Sequence, residues 1–149
     1  MQPIALLWPS FAMVALIFVV WITLFAQRIN LIRRQPPGPE DFATTAAAAR
    51  YFEPAEMAAN NLRNLFEMPV LYFALVPLLM LTHHGDHVQV VLAWVYVALR
   101  AMHSFIHIGP KVVNARFAVY MASCAVLSAM WVGFAVDMIA AASTMPALP

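Results

Sequence analysis

The sequence predicts an all-α integral membrane protein, a bundle of four transmembrane helices with polar residues clustered near one membrane face. Of its 149 residues, 64% are hydrophobic and 10% are charged, and the mean hydropathy is +0.79. A soluble domain carries about 25% charged residues, so too few polar groups remain to cover a water-facing surface. Four apolar runs also approach the ~20 residues that a helical span needs. They leave one linker, which favours a single domain over residues 1–149.

The first span is predicted at about residues 4–27, because the first 27 residues carry no charge. A cleaved signal peptide would place positive charge before its apolar stretch. Here Arg28, Arg33 and Arg34 follow that stretch instead. The pattern favours a retained anchor with its N-terminus outside the cell and its basic end in the cytoplasm.

The second span is predicted at about residues 57–82, after a proline-containing linker over residues 35–53. Pro54 suits the first position of a helix, and Glu56 is favourably placed in the first turn. The apolar segment is longer than one bilayer crossing. We therefore expect this helix to tilt or to project into the cytoplasm.

The third and fourth spans are predicted at about residues 88–108 and 117–139. A polar turn, HHGDH at residues 83–87, precedes the third span, and Gly109 and Pro110 end it. All eight Lys and Arg residues lie in, or lean toward, the two loops assigned to the cytoplasm. The positive-inside rule therefore predicts both termini on the non-cytoplasmic side.

The charge argues against one class of protein, and the cysteine content excludes disulfides within the chain. A formal net charge of +1 without a basic stripe argues against a nucleic-acid-binding protein. Cys124 is the only cysteine, so no disulfide can form within the chain.

Ionisable groups inside a span cost about 2.5–3.5 kcal/mol each at its centre, which makes them the most informative positions. Two spans carry polar residues at helical spacing. In the second span these are Asn60, Arg63, Asn64 and Glu67, and in the third span Arg100, His103, Ser104 and His107. Residues with this spacing share one helix face. The two stripes are therefore predicted to face each other inside the bundle.

The depths of these residues predict an ion pair between the two stripes. At 1.5 Å per residue, Glu67 lies ~7 Å below the cytoplasmic edge of its span, and Arg100 lies ~10 Å below that face. Because the depths are similar, we predict a Glu67–Arg100 ion pair.

Two other interpretations of the polar residues stay open. Asn, Ser and His commonly form hydrogen bonds between membrane helices, so the stripes can be purely structural. His103 and His107 are spaced to hold a metal or haem, and the turn at residues 83–87 offers a second histidine cluster. Each cluster supplies too few ligands for a closed site, so no metal site is predicted. The number of polar groups at one level favours a binding site.

The run RNLFEMP at residues 63–69, followed by VLYF, resembles the second-helix signature of the MAPEG family, the membrane-associated proteins in eicosanoid and glutathione metabolism. The run RAMH at residues 100–103 and the later Arg116 are similar to third-helix and fourth-helix positions of that family. With loops of similar length, the resemblance covers nearly the whole chain.

The resemblance implies a homotrimer that binds glutathione between neighbouring subunits, toward the cytoplasmic face. It implies a thiolate-stabilising role for Arg116. The residues it places around glutathione are Arg63, Asn64, Glu67, Arg100, His103 and His107. The chain departs from the family at His107, where tyrosine is common, and at Asn60, where a prostaglandin synthase has arginine.

The activity implied is that of a glutathione-dependent transferase or peroxidase acting on apolar electrophiles or lipid hydroperoxides that arrive through the bilayer. A non-catalytic lipid-binding or scaffolding protein of the same fold is the alternative. The compact, alanine-rich chain suits a bacterial inner membrane.

Overall fold

The computed structural model describes residues 3–144, which contain only helices, turns and loops. The helices are α1 (Leu7–Arg34), α2 (Thr45–Tyr51), α3 (Glu56–Asn64), α4 (Met68–Leu81), α5 (His87–Ile108) and α6 (Val113–Thr144). Short 3₁₀ turns precede α1, α2 and α3. Four segments are long and apolar enough to cross a membrane: α1, the α3–α4 pair, α5 and α6. The predicted all-α fold with four membrane-spanning segments is confirmed.

The first and last spans are longer helices than their apolar runs predicted. The first helix continues past residue 27 to Arg34, and the last covers residues 113–144. A helix of 28 residues is about 42 Å long, which exceeds the ~30 Å hydrocarbon core of a bilayer. The extra turn of α1 carries Arg33 and Arg34, whose charges suit the headgroup region.

The second span is not the continuous helix that the sequence predicted, because α3 ends at Asn64 and α4 begins at Met68. Pro69 explains the break. A proline has no N–H to donate to the carbonyl four residues earlier, and its ring clashes with that carbonyl, here that of Leu65. The chain therefore makes a turn over residues 65–67 before helix resumes.

The linker between the first two spans contains a short helix, α2. Thr44 caps it, since the Thr44 hydroxyl oxygen accepts a 3.1 Å hydrogen bond from the amide of Ala47. Tyr51 donates its hydroxyl proton to the carbonyl of Gln35. The Tyr51 ring also stacks edge-on against Phe52, with ring centroids 5.0 Å apart. The linker is thus folded back on itself.

The main hydrophobic core fills one end of the bundle, which we call the apolar end. Its fully buried side chains come from α1, α4, α5, α6 and the 3₁₀ turn before α1. They are Leu6, Met13, Tyr72, Leu75, Leu79, Ala93, Tyr96 and Met130. Gln89 joins α5 to α6 here, donating its side-chain N–H to the Met130 carbonyl at 3.0 Å.

Large apolar side chains cover the outer surface of the bundle. Leu81 is 77% exposed, Phe105 and Ile139 are each 71% exposed, and Trp8 is 63% exposed. A water-soluble protein would not leave so many such side chains uncovered. The surface is that of an integral membrane protein, whose outer face meets lipid.

Candidate functional site

A cavity of about 570 Å³ opens at the other end of the bundle, between α3, α5 and α6. We call this end the polar end and this space the main cavity. Its lining residues are Asn60, Arg63, Asn64, Glu67, His103, His107, Val113, Asn114, Arg116, Phe117 and Tyr120. Six of the seven residues predicted from the sequence as a site therefore line one cavity; the seventh, Arg100, does not.

The α3–α4 break helps to shape the main cavity. Asn60, Arg63 and Asn64 come from α3, whereas Glu67 lies in the turn after it. Arg63 and Glu67 are exposed and Asn64 is half-buried. The predicted stripe thus reaches one cavity, although a single helix does not carry it.

Arg100 lies beneath the main cavity and is fully buried, with no exposed surface. Its Nη2 donates a 2.6 Å hydrogen bond to the main-chain carbonyl of Asn64. Asn64 ends α3, so its carbonyl belongs to the last turn, where helices leave carbonyls without an intrahelical partner. The predicted Glu67–Arg100 ion pair is wrong for the single chain, because Arg100 binds the interrupted backbone instead.

The rest of the Arg100 guanidinium faces an aromatic ring. Its central carbon lies 5.6 Å from the centroid of the Tyr120 ring, within cation–π range. Within residues 3–144, Nε and Nη1 of Arg100 have no hydrogen-bond partner. The Tyr120 ring also lies 5.6 Å from the ring of His103. Tyr120 therefore connects the buried cation to the cavity wall.

Tyr120 was not among the residues predicted from the sequence, although its spacing from Arg116 was a signal. Tyr120 lies four residues after Arg116, so both side chains fall on one face of α6. Asn114 and Phe117 were also missed as lining residues. They lie in the first turns of α6, which the hydropathy pattern assigned to a loop or to the beginning of the span.

His103 is buried, and one of its ring nitrogens is tied to the backbone. Its Nδ1 lies 3.2 Å from the carbonyl oxygen of Arg116. Because a carbonyl only accepts hydrogen bonds, Nδ1 must carry the proton of this bond. In the neutral ring this leaves Nε2 as an acceptor, and Nε2 has no partner within the described residues. His107 is the edge-on neighbour, with ring centroids 5.4 Å apart.

Arg116 is half-buried in the first turn of α6. The first turn of a helix carries free N–H groups and the positive end of the helix dipole, which favour an anion. The side chain and the helix terminus thus place positive charge at one side of the main cavity. Arg116 and Arg63 therefore offer positive charge to carboxylates, and Glu67 offers negative charge to an amine, in the wall of the main cavity.

Ser104 belongs to the predicted stripe but plays a different part. Its hydroxyl donates a 3.2 Å hydrogen bond to the side-chain oxygen of Asn61, and both residues are buried. Neither side chain lines the main cavity. This contact joins α3 to α5. Ser104 therefore has the structural role, a hydrogen bond between helices, that was one interpretation of the polar stripes.

No three His, Cys, Asp or Glu side chains within residues 3–144 come together in a way that could hold a metal ion. In the turn before α5, the ring Nδ1 of His84 lies 2.7 Å from the carbonyl oxygen of Thr82.

Comparison with protein-family models gives one match, to the MAPEG family, over residues 6–136. The match spans the main cavity and reaches into all four membrane-spanning segments. The resemblance seen at residues 63–69 and 100–103 is confirmed by it. No curated protein and no solved structure matches the chain significantly.

Proposed function

We propose, because this chain belongs to the MAPEG family, that it is a glutathione-dependent membrane enzyme of the transferase or peroxidase type. Its second substrates would be apolar electrophiles or lipid hydroperoxides. The family contains such enzymes and also non-catalytic members. The observation that carries the proposal is the convergence of six predicted residues on one cavity of about 570 Å³. That volume lies in the usual range of small-molecule sites, roughly 300–1,000 Å³.

The chemistry of the main cavity matches that of glutathione, which carries two carboxylates, one amine and one thiol. Arg63 supplies a cation that can grip a carboxylate through two parallel hydrogen bonds. Glu67 supplies a carboxylate for the amine. Neutral hydrogen-bonding groups come from Asn64, from His107 and from Nε2 of His103, which has no partner within the described residues. Arg100 supports the site from below through the Asn64 carbonyl.

In this proposal Arg116 stabilises the thiolate of glutathione. The thiolate is the nucleophile, and a free thiol has a pKa of about 8.5. Lowering that pKa by two units requires about 2.7 kcal/mol of differential stabilisation. A half-buried arginine beside a helix N-terminus can supply interaction of this size. The thiolate would then attack an electrophilic carbon, forming a C–S bond as a leaving group such as halide departs. With a hydroperoxide it would attack the terminal oxygen, breaking the O–O bond to leave an alcohol and a sulfenic acid, which a second glutathione would convert to glutathione disulfide and water.

The apolar substrate would arrive from the bilayer, where two apolar grooves between helices, neither sharing a lining residue with the main cavity, can bind lipid. One groove of about 430 Å³ runs between α1 and α4, and another of about 400 Å³ runs between α1 and α5. We also propose a homotrimer, from family membership, and both termini on the non-cytoplasmic side, from the positive-inside rule. The compact, alanine-rich chain suits a bacterial inner membrane. Such a trimer would place a neighbouring subunit beside the main cavity.

The proposal is tested with the full chain purified in detergent, with and without millimolar glutathione. We expect a thiolate absorbance band and conjugation of a model aryl halide. Arg116→Ala should lower the conjugation rate at pH 7 about 25-fold, because returning the thiol pKa from about 6.5 to about 8.5 lowers the thiolate fraction at that pH from about 0.76 to about 0.03. Since the thiol of the variant ionises at higher pH, its rate should recover as the pH rises toward 9.

Arg34→Ala is the matched control, because Arg34 is an exposed arginine at the end of α1, away from the main cavity. Its conjugation rate should equal that of the wild type. If the wild-type protein showed neither the thiolate band nor conjugation, the proposal that it is a glutathione-dependent enzyme would be contradicted. The two apolar grooves would then favour the alternative, a non-catalytic lipid-binding or scaffolding protein.

A further inference from the structure

Three polar side chains on α3 form a continuous chain of hydrogen bonds. The side-chain N–H of Asn60 donates to Oε1 of Glu56 at 3.3 Å. Nη1 of Arg63 in turn donates to the side-chain oxygen of Asn60 at 3.2 Å. The spacings of four and three residues place the three groups on one helix face. We call this chain the α3 relay.

The α3 relay connects two cavities. A smaller cavity of about 190 Å³ is lined by all three members of the relay, together with side chains from α1 and the linker, among them Arg28 and Phe52. Asn60 and Arg63 also line the main cavity, whereas Glu56 does not. Glu56 can therefore influence a ligand in the main cavity only through its neighbours on α3.

The direction of the relay follows from the chemistry of Glu56. An ionised carboxylate only accepts hydrogen bonds, so the amide of Asn60 must turn its NH₂ group toward Glu56. Its oxygen then faces Arg63, which only donates. If the Asn60 amide were reversed, its NH₂ group would face the N–H groups of Arg63, and neither group could accept a hydrogen bond from the other. Glu56 thus orients the Asn60 amide so that its oxygen, and not its NH₂ group, faces Arg63.

The guanidinium of Arg63, bonded to Asn60 on one side, can bind a ligand through its other edge. With Nη1 bound to Asn60, the edge formed by Nε and Nη2 stays free of this contact. That edge can bind a carboxylate with two parallel hydrogen bonds. Arg63 is exposed, and a long exposed side chain loses rotamer freedom when it binds. Holding it beforehand reduces that loss and so favours binding.

We propose that Glu56 is a positioning residue for glutathione binding, acting through Asn60 to orient the guanidinium of Arg63 toward a glutathione carboxylate. This inference rests on the proposed function, since it assigns the carboxylate to glutathione. It predicts an effect on the affinity for glutathione and none on the chemical step. A residue that merely stabilised α3 would not divide its effects in this way.

The test compares KM for glutathione, kcat and the melting temperature of full-length variants in detergent. Glu56→Ala should raise KM about fivefold, in line with a lost hydrogen-bonded contact to a charged network, with kcat unchanged. The melting temperature should fall only slightly, because Glu56 is also the acidic residue in the first turn of α3. Glu56→Gln should have a smaller effect, because its amide oxygen can still accept from Asn60. Glu53→Ala is the matched control, since Glu53 is exposed and lines neither cavity.

A double-mutant cycle shows whether Glu56 acts through Arg63. In an Arg63→Ala background, Glu56→Ala should have no further effect on KM. An undiminished effect there, an unchanged KM in the single variant, or a joint fall in kcat and melting temperature would overturn the inference. In each of those cases glutathione binding by the wild type would leave the proposed function standing. A wild type that binds no glutathione in calorimetry would instead contradict the proposed function itself.

Discussion

The two ends of the bundle share helix α5 but bury different side chains. At the apolar end, α5 buries Ala93 and Tyr96 within the hydrophobic core. About one to three turns further along, it buries Arg100, His103 and His107. The apolar end excludes lipid and water by close packing. The polar end surrounds a cavity with groups that packing alone does not require.

Unpartnered polar atoms occur at both ends, but those of arginine and histidine lie at the polar end. Within the described residues, Arg100, His103, His107 and Asn61 each bury at least one side-chain nitrogen that has no hydrogen-bond partner, whereas the apolar end leaves Gln89 Oε1, Tyr96 OH and Trp131 Nε1 without one. A buried polar group left unpaired costs about 1–3 kcal/mol in soluble proteins. Such an arrangement is unfavourable for folding and is typical of a site that a polar ligand or water completes. The apolar end should therefore dominate stability, and the polar end should dominate binding.

The largest effect on stability is expected at the apolar end, from Leu79→Ala. Leu79 has no exposed surface, and truncating such a side chain costs about 2–5 kcal/mol through lost burial and the cavity left behind. Leu81→Ala is the control on the same helix, because Leu81 is 77% exposed. Unfolding in mixed detergent should separate the two variants. Equal losses would show that the apolar end is not a packed core.

Arg100→Met should give the opposite pattern at the polar end. Replacing a buried charge by an apolar side chain of similar length is often neutral or stabilising, so the unfolding free energy should not fall. Glutathione affinity should fall about tenfold, because the Asn64 carbonyl loses a charged hydrogen-bond donor. Calorimetry and unfolding of the same preparations measure both quantities. A stability loss comparable to that of Leu79→Ala would break the comparison.

The smallest effect is expected from Ser104→Ala, which removes the buried hydrogen bond to Asn61. Hydrogen bonds between membrane helices are worth about 0.6 kcal/mol on average, so the unfolding free energy should fall by about that amount. Thr23→Ala should change it less, since the Thr23 hydroxyl bonds only to its own helix at Val19. A loss above about 2 kcal/mol would assign the polar end a larger structural share than we propose.

Hydropathy was sufficient to predict the fold, because lipid imposes a simple rule on segment length and charge. The polar turn at residues 83–87 and Gly109 each separate two helices in the structure, as predicted. Helical spacing was also sufficient to bring Arg63, His103 and His107 to one cavity. Spacing fixes which face a side chain lies on, and facing stripes on packed helices come together.

Contacts that depend on irregular backbone could not be predicted from spacing. If residues 57–82 formed one continuous helix, Glu67 would lie at the depth of Arg100, as the predicted ion pair requires. Pro69 interrupts that helix, and Arg100 instead binds the carbonyl of Asn64. The proline was visible in the sequence, but its consequence for a partner on another helix requires the three-dimensional path of the chain.

The burial of Arg100 has a consequence for how the protein is made. The helix that carries it, α5, is the least apolar of the four membrane-spanning segments. An arginine near the centre of a segment opposes its transfer from the translocon into lipid by about 2.5–3.5 kcal/mol. We therefore expect α5 to enter the bilayer poorly by itself and to be retained until α6, which packs along it, has been synthesised. The binding site would then be assembled within the same step that completes membrane insertion.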